Sequence, residues 1–124
     1  MDIIIRNSGG VPIYDQITRQ MKGLILRGEL KEGEALPSMR LLAKELRISV
    51  ITTKRAYEDL EKAGFINTVP GKGCFVAPQN MELHREETLK KMEEYLQQAV
   101  DTALAGGISK AEVLATLNLL LEGD

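Results

Sequence analysis

The most constraining feature of the sequence is the stretch from Leu36 to Ala77, in which two short helix patterns precede two short strand patterns. Residues Ser38–Leu46 and Val50–Ala63 carry apolar side chains three and four positions apart, as amphipathic helices do. Ser38 opens the first pattern and Ser49 directly precedes the second, and serine is a favourable N-cap residue. Arg47 and Ile48 form the turn between them. The stretch predicts a helix-turn-helix followed by a β-hairpin.

The same spacing predicts which side chains of these two helices face the core. On the first helix, the inward residues are Leu41, Leu42 and Leu46. On the second helix, one face carries Thr53, Ala56, Tyr57, Leu60 and Ala63. The opposite face of the second helix carries Val50, Lys54, Glu58 and Glu61.

The first turn of the second helix is unusual, because Val50, Ile51, Thr52 and Thr53 are all β-branched. Such residues lose side-chain freedom in a helix and are poor helix formers. A recognition helix has a reason to begin this way, since its first turn meets base edges and phosphates. The pattern therefore favours a nucleic-acid contact at this turn.

The tetrapeptide Pro70-Gly71-Lys72-Gly73 separates two β-branched or aromatic runs, Phe65–Val69 and Cys74–Ala77. This arrangement predicts a hairpin with a basic tip. The two glycines allow the backbone to approach a phosphate closely, and Lys72 supplies positive charge. A nucleotide-binding P-loop is excluded, because that loop opens a helix and continues with Ser or Thr.

The residues before this stretch predict a strand and a helix. A β-branched run opens residues 1–10 and ends in turn residues, which indicates a short strand that pairs with another strand or packs on a neighbour. Val11–Arg27 predicts a helix with an apolar stripe of Tyr14, Ile17, Met21, Leu24 and Ile25. Residues 28–37 form a glycine-punctuated connection without a regular period.

The C-terminal residues predict an α-helical hairpin. Met81–Ala105 carries one narrow apolar stripe, and Ser109 with Glu112 forms a capping box that opens a last helix. Two helices alone bury little, so two copies are expected to pack together. The predicted dimerisation residues are Leu89, Met92, Leu96, Val100, Leu114, Leu117 and Leu121. Pro78 marks the boundary between a domain at 1–78 and this element at 79–124.

Charge is distributed unevenly along the chain. Residues 1–80 hold 12 Lys and Arg against 9 Asp and Glu, a formal charge of +3. Residues 81–124 hold 4 against 9, a formal charge of −5. Only the docking face has to attract phosphates, so this asymmetry is compatible with a nucleic-acid partner.

Composition excludes several classes of protein. One Cys and one His cannot supply a disulfide framework or a multi-ligand metal site, and no cofactor loop is present. No apolar run approaches the roughly 20 residues of a membrane span, so we expect a cytoplasmic protein. Cys74 is interpreted as a small residue of a strand, and His84 with Glu87 as a solvated face. The sequence shows no set of convergent catalytic groups, so we do not expect an enzyme.

These motifs resemble those of the GntR family of bacterial transcription regulators. The matching segments are Pro12–Ile17, Gly28–Gly33, Leu36–Arg40, Ser49–Tyr57, Leu60–Gly64 and Gly71–Val76. The short helical pair that follows resembles the YtrA-type subfamily. The resemblance implies an α+β, mostly α fold: a winged helix-turn-helix domain, followed by the helical hairpin, that binds a palindromic double-stranded DNA operator as a homodimer.

The resemblance also implies roles for individual residues. Arg40 and Lys54 match contact positions, Ser49 and Thr52 match hydroxyls that hold phosphates, and Gly71 matches the wing contact. The predicted DNA-binding residues are Ser38, Arg40, Ser49, Val50, Ile51, Thr52, Lys54, Arg55, Gly71, Lys72 and Gly73. Many family members carry Arg and a polar residue at positions 50 and 51. Here apolar contact with a thymine methyl group is the physical alternative.

Two alternatives stay open at this point. Arg55 either contacts phosphate or pairs with Asp59, four residues on. The chain itself is either a DNA-binding regulator, with repression as the expected effect, or a winged-helix protein-interaction module without DNA-binding function. The sequence identifies no small-molecule effector; a ligand would act at the helical hairpin or near Pro78.

Overall fold

A computed structural model of the chain describes residues 1–123. Within them it forms five helices and two strands, namely α1 (Ile13–Leu26), α2 (Met39–Leu46), α3 (Val50–Lys62), β1 (Ile66–Val69), β2 (Gly73–Val76), α4 (Met81–Ala105) and α5 (Lys110–Glu122). Two compact units divide the chain, one spanning Met1–Met81 and one beginning at Glu82. The mostly helical α+β class and the order of elements from α1 onward confirm the predicted winged helix-turn-helix followed by a helical hairpin.

The core of the first unit lies where α1, α2 and α3 meet the two-stranded sheet. It is aliphatic apart from two aromatic rings, and its members are Ile17, Met21, Ile25, Leu30, Leu36, Leu42, Ala56, Tyr57, Leu60, Phe65, Ile66, Cys74 and Val76. Full burial of a Leu, Ile, Phe or Met side chain stabilises a fold by about 1.5–3 kcal/mol. The apolar stripe predicted for α1 is its core face, because Ile17, Met21 and Ile25 belong to this core and the rest of the stripe packs against it.

Serine side chains cap three of the helices. The Oγ atoms of Ser38, Ser49 and Ser109 each accept a hydrogen bond of 3.1 Å from the backbone N–H three residues later. Between α2 and α3, Arg47 adopts a left-handed conformation with φ of 57°. That conformation lets the chain leave α2 and enter α3 within three residues, and it is uncommon for a residue other than glycine.

Two residues predicted to face the core do not. Leu41 is 47% exposed, because only one face of the eight-residue helix α2 reaches the core, through Leu42 and Ala43. Ala63 is also exposed. It follows the last residue of α3, where the chain already turns away through Gly64 with φ of 80°.

The hairpin is antiparallel, and its register pairs Ile66 with Val76 and Val69 with Gly73. A third segment joins it, although the sequence predicted only an irregular connection there. Backbone hydrogen bonds of 2.8–2.9 Å link Gly33 N to Val76 O, Val76 N to Glu34 O, and Leu36 N to Cys74 O. The connection between α1 and α2 is thereby fixed along β2.

The strand predicted in residues 1–10 is absent, which corrects that expectation. An extended segment, here called the arm (residues 2–6), runs along α1 instead. Gln20 exchanges two hydrogen bonds with the backbone of Ile4, at 2.9 and 2.7 Å. Gln16 does the same with Arg6, at 2.8 and 2.7 Å. The side chains of Ile3 and Ile5 pack against the core.

The spacing of the two glutamines explains this contact. Four helical residues advance about 6 Å, and two extended residues advance about 6.6 Å. Two side-chain amides at positions i and i+4 therefore match alternate peptide groups of an extended chain. Of the two possibilities left open for this segment, packing on a neighbour is the one realised.

The second unit leaves its apolar side chains accessible. Neither α4 nor α5 contains a fully buried residue. Near the turn between them, a cavity of about 400 Å³ is lined by residues that include Val100, Ala103, Val113 and Leu114. In residues 1–123, no helix has both the length and the apolar character needed to cross a membrane.

Candidate nucleic-acid interface

The first turn of α3 is built around a pair of hydroxyl groups. Ser49 Oγ accepts the N–H of Thr52 at 3.1 Å and lies 2.8 Å from Thr52 Oγ1. Thr53 is fully buried and donates from Oγ1 to the Ser49 carbonyl oxygen at 3.3 Å. One side of this turn is therefore fixed in the core, while Ser49 stays exposed and Thr52 partly so.

Two apolar side chains project from the same turn into solvent. Val50 is 45% exposed and Ile51 is 80% exposed. An isoleucine this exposed gains nothing from the fold, so its apolar surface is available to a partner. In a major groove, the apolar group that such a side chain can meet is the C5-methyl of thymine.

The start of α2 is held in place from α3. The Tyr57 hydroxyl donates a hydrogen bond of 2.7 Å to the carbonyl oxygen of Pro37, directly before the Ser38 cap. Burial raises the pKa of Tyr57 well above its ordinary value, with smaller contributions from Cys74 and Glu45. The phenol is therefore neutral and donates. Arg40 and Leu41, in the first turn of α2, are both exposed.

The two cations that follow the first turn of α3 have different partners. Lys54 Nζ lies 3.9 Å from Glu58 Oε1, and both side chains are largely exposed. A surface pair of this kind contributes at most about 1 kcal/mol, so Lys54 can exchange Glu58 for a phosphate. The guanidinium of Arg55 stacks on the Tyr14 ring, with Cζ 3.7 Å from the ring centre.

Tyr14 is therefore a residue of this surface that the sequence reasoning missed. The pairing of Arg55 with Asp59, one of the two alternatives considered, gives way to this cation–π contact with α1. The contact orients the guanidinium while leaving Arg55 exposed. The signal for it is weak in the sequence, because Tyr14 belongs equally well to the apolar stripe of α1.

The tip of the hairpin is exposed from Pro70 to Gly73. Gly71 and Gly73 have φ of 77° and 114°, a region that side chains disfavour, so both positions require glycine to make this turn without strain. The N–H of Lys72 donates to the Val69 carbonyl oxygen at 2.9 Å. Close to this tip, Thr68 of β1 donates to a carboxylate oxygen of Glu61 on α3.

The second helix of this helix-turn-helix is anchored in the core on one face and exposed on the other, and a glycine-rich basic hairpin lies beside it. These features define a winged-helix DNA-binding protein. Comparison with known proteins specifies which kind. The family model described as bacterial regulatory proteins, gntR family, matches residues 13–76, which is more than half of the chain. The chain belongs to the GntR family.

Individual relatives agree with this assignment. The HTH-type transcriptional repressor YtrA of Bacillus subtilis (strain 168) is 36% identical over 97 residues, covering 78% of this chain and 75% of the relative. The structure of YtrA from Sulfolobus acidocaldarius, a GntR-family transcription factor, aligns with a TM-score of 0.60 at 34% identity, covering 74% of this chain and 97% of that one. The relatives thus include regulators of the YtrA type, as the resemblance implied.

A third comparison includes DNA. The DNA-binding domain of AraR in complex with operator ORE1 aligns with a TM-score of 0.53 at 25% identity, covering 62% of this chain and 94% of that one. The chain is accordingly a DNA-binding transcription regulator and not an enzyme. Of the two classes left open by the sequence, the DNA-binding regulator is the correct one.

Proposed function

We propose that this protein is a repressor that binds a two-fold symmetric operator as a homodimer. The observation that carries the proposal is the first turn of α3, where capped hydroxyls and exposed apolar side chains project from an anchored helix. Repression is favoured because the YtrA relative is named a repressor. A bacterial regulator meets chromosomal DNA in the cytoplasm, so we propose that the protein acts there.

The proposed dimer rests on apolar surface of the second unit. Six of the seven predicted dimerisation residues are exposed in the single chain, namely Leu89, Met92, Leu96, Val100, Leu114 and Leu121. Leu117 is partly buried. Exposed apolar stripes of this length are covered in stable proteins, and a second copy supplies a matching stripe by symmetry.

The proposed contacts divide into phosphate binding and base reading. Ser38, Arg40, Ser49, Thr52, Lys54, Lys72 and the tip glycines Gly71 and Gly73 position the domain on phosphates. Arg55, oriented by Tyr14, adds a further phosphate contact. Val50 and Ile51 read thymine methyl groups in the major groove. Two domains related by the dimer axis contact half-sites about 34 Å apart, or a multiple of that distance.

The dimer also explains how a weakly charged domain binds tightly. One copy of residues 1–80 carries a formal charge of only +3, so a single domain neutralises few phosphates. Two linked domains make the second contact intramolecular, which raises the affinity without new types of contact. The acidic second unit is therefore proposed to take part in DNA binding by joining the two domains.

Fluorescence anisotropy with DNA from the protein's own promoter tests the proposal. We expect sequence-preferring binding whose affinity falls steeply with salt. A double variant R40A/K54A should lose most of the affinity, whereas K90A/K91A, which removes two cations from α4, should bind like the parent. Equal binding to promoter and scrambled DNA would contradict the proposal, and so would equal affinities of the two double variants.

A further inference from the structure

The arm has one occupied and one open hydrogen-bonding edge. Ile4 and Arg6 direct both their N–H and C=O groups at the glutamines of α1. In an extended chain, alternate residues direct these groups to opposite sides. The backbone groups of Ile3 and Ile5 therefore point away from α1. In the part of the chain that the structure describes, they accept and donate no hydrogen bond.

An open strand edge of this kind can pair with another extended chain. The side chains of Ile3 and Ile5 are committed to the core, which holds the arm extended and limits its freedom to turn away. Ile4 is 64% exposed, and Asp2 and Arg6 on either side of it are exposed as well. The accessible face of the arm thus reads acid, isoleucine, base.

This order of side chains is complementary to itself in the antiparallel sense. When two arms align with Ile4 opposite Ile4 of a second copy, Asp2 of each lies opposite Arg6 of the other. The same register places Ile3 opposite Ile5, the two residues with outward backbone groups. Such residues form the pairs that exchange both N–H···O bonds in an antiparallel ladder. Charge and backbone pairing therefore select one register.

We propose that the arm is a self-recognition element, through which two copies of this chain form a two-stranded antiparallel ribbon centred on Ile4. The occupant is a second copy because its charge order complements this arm residue by residue. The contact requires only the first compact unit. It is therefore separate from the proposed dimer contact of α4 and α5 and from DNA binding, and it can fail without affecting either.

Disulfide trapping in the full-length protein tests the register directly. Opposite residues of a non-hydrogen-bonded antiparallel pair have Cα atoms about 4.5 Å apart, which lies within the range that a disulfide spans. We expect I4C to form an intermolecular disulfide rapidly with oxidised glutathione. S8C is the matched control outside the ribbon, and the parent chain, whose single thiol at Cys74 is buried, is the blank.

Charge exchange in the I4C background separates recognition from chance collision. D2R or R6D alone places like charges opposite each other at both ends, so each should lower the initial rate of cross-linking about tenfold. Mixing the two single variants restores opposite charges in both pairs and should restore a fast, mixed disulfide. Melting temperatures of the single variants check that the arm and its unit stay folded.

Each outcome decides the proposal. Three results together support it. I4C cross-links fast, each single charge variant in the I4C background cross-links more slowly, and the mixture of the two variants recovers the fast rate. Equal rates for I4C and S8C overturn it and leave the edge to a partner other than this chain. Equal cross-linking rates for I4C with Asp2 and Arg6 intact and for I4C carrying D2R or R6D overturn it as well, since the proposed register depends on those charge pairs.

Discussion

The hydroxyl of Tyr57 donates a 2.7 Å hydrogen bond to the carbonyl oxygen of Pro37, which lies 20 residues earlier in the chain. The bond joins the middle of α3 to the residue before the cap of α2. Tyr57 is also among the largest fully buried side chains of the protein. This hydrogen bond therefore adds a directional link to the apolar packing of α2 on α3.

Replacing Tyr57 with phenylalanine should lower the free energy of unfolding by about 1 kcal/mol, because the partly buried carbonyl oxygen of Pro37 loses its partner while the ring still fills the core. Urea denaturation followed by circular dichroism measures the change. Y95F is the matched control, since Tyr95 is 60% exposed. An equal effect of the two variants would show that the hydrogen bond to Pro37 contributes nothing.

The same residue predicts a loss of stability at high pH. Burial raises the pKa of Tyr57 in the folded state, so above pH about 10 the unfolded chain loses this proton while the folded chain keeps it. The stabilisation is complete below the unfolded pKa and declines as pH rises above it. Urea midpoints measured across this range should fall more steeply for the parent than for Y57F, because the side chain at position 57 of that variant has no hydroxyl to ionise. Parallel curves for the two proteins would refute the prediction.

Ile51 should read a thymine methyl group. Replacing the operator thymines one at a time with deoxyuridine removes only the C5-methyl group, and we expect about a fourfold loss of affinity at one position of each half-site. The variant I51A should bind more weakly overall and be insensitive to that same replacement. If I51A responds to deoxyuridine as the parent does, another side chain makes the contact.

The wing lysine should act through charge alone. K72A is expected to weaken binding to all DNA sequences by a similar factor and to reduce the slope of log affinity against log salt by about 0.9 per lost contact, or about 1.8 for a dimer. Anisotropy titrations at several salt concentrations provide the slope. K90A removes the same charge from α4 and should leave the slope unchanged.

The dimer should depend on the apolar stripe of α4. L96E places a carboxylate in the stripe and should yield monomers at micromolar concentration, together with a large loss of operator affinity. Q98E adds the same charge about 200° around the helix, on the opposite side, and should stay dimeric. Sedimentation velocity distinguishes these states. A parent protein that sediments as a monomer at micromolar concentration would contradict the proposed assembly itself.

Local signals in the sequence predicted the helices well. Ser38, Ser49 and Ser109 cap the helices that were expected to begin there, because an N-cap acts on an N–H only three residues away. The strand pair was predicted to within one residue at the ends, since the Pro-Gly-Lys-Gly turn fixes its centre. The exposure of Lys54 also follows from helical spacing, although the contacts of Arg40 and Lys54 with DNA stay predictions.

Contacts between distant parts of the chain were not predictable in this way. The exposure of Leu41 depends on how little of α2 reaches the core, which apolar spacing alone does not reveal. The arm resembles a strand in composition, but its partners are glutamine side chains of a helix. Arg55 lies on Tyr14, 41 positions earlier, whereas the sequence offered only Asp59 or a phosphate as its partner.

The backbone ladder between residues 33–36 and β2 determines how this domain can be recombined. A chimera that takes only α2 and α3 from another regulator would keep residues 33–36 and β2 of the recipient bonded to each other. The helices that follow this segment would then come from a different protein. A graft that begins before Gly33 and ends after Val76 keeps the ladder within a single parental sequence. In engineering terms, the exchangeable cassette includes the linker and the wing as well as the recognition helix.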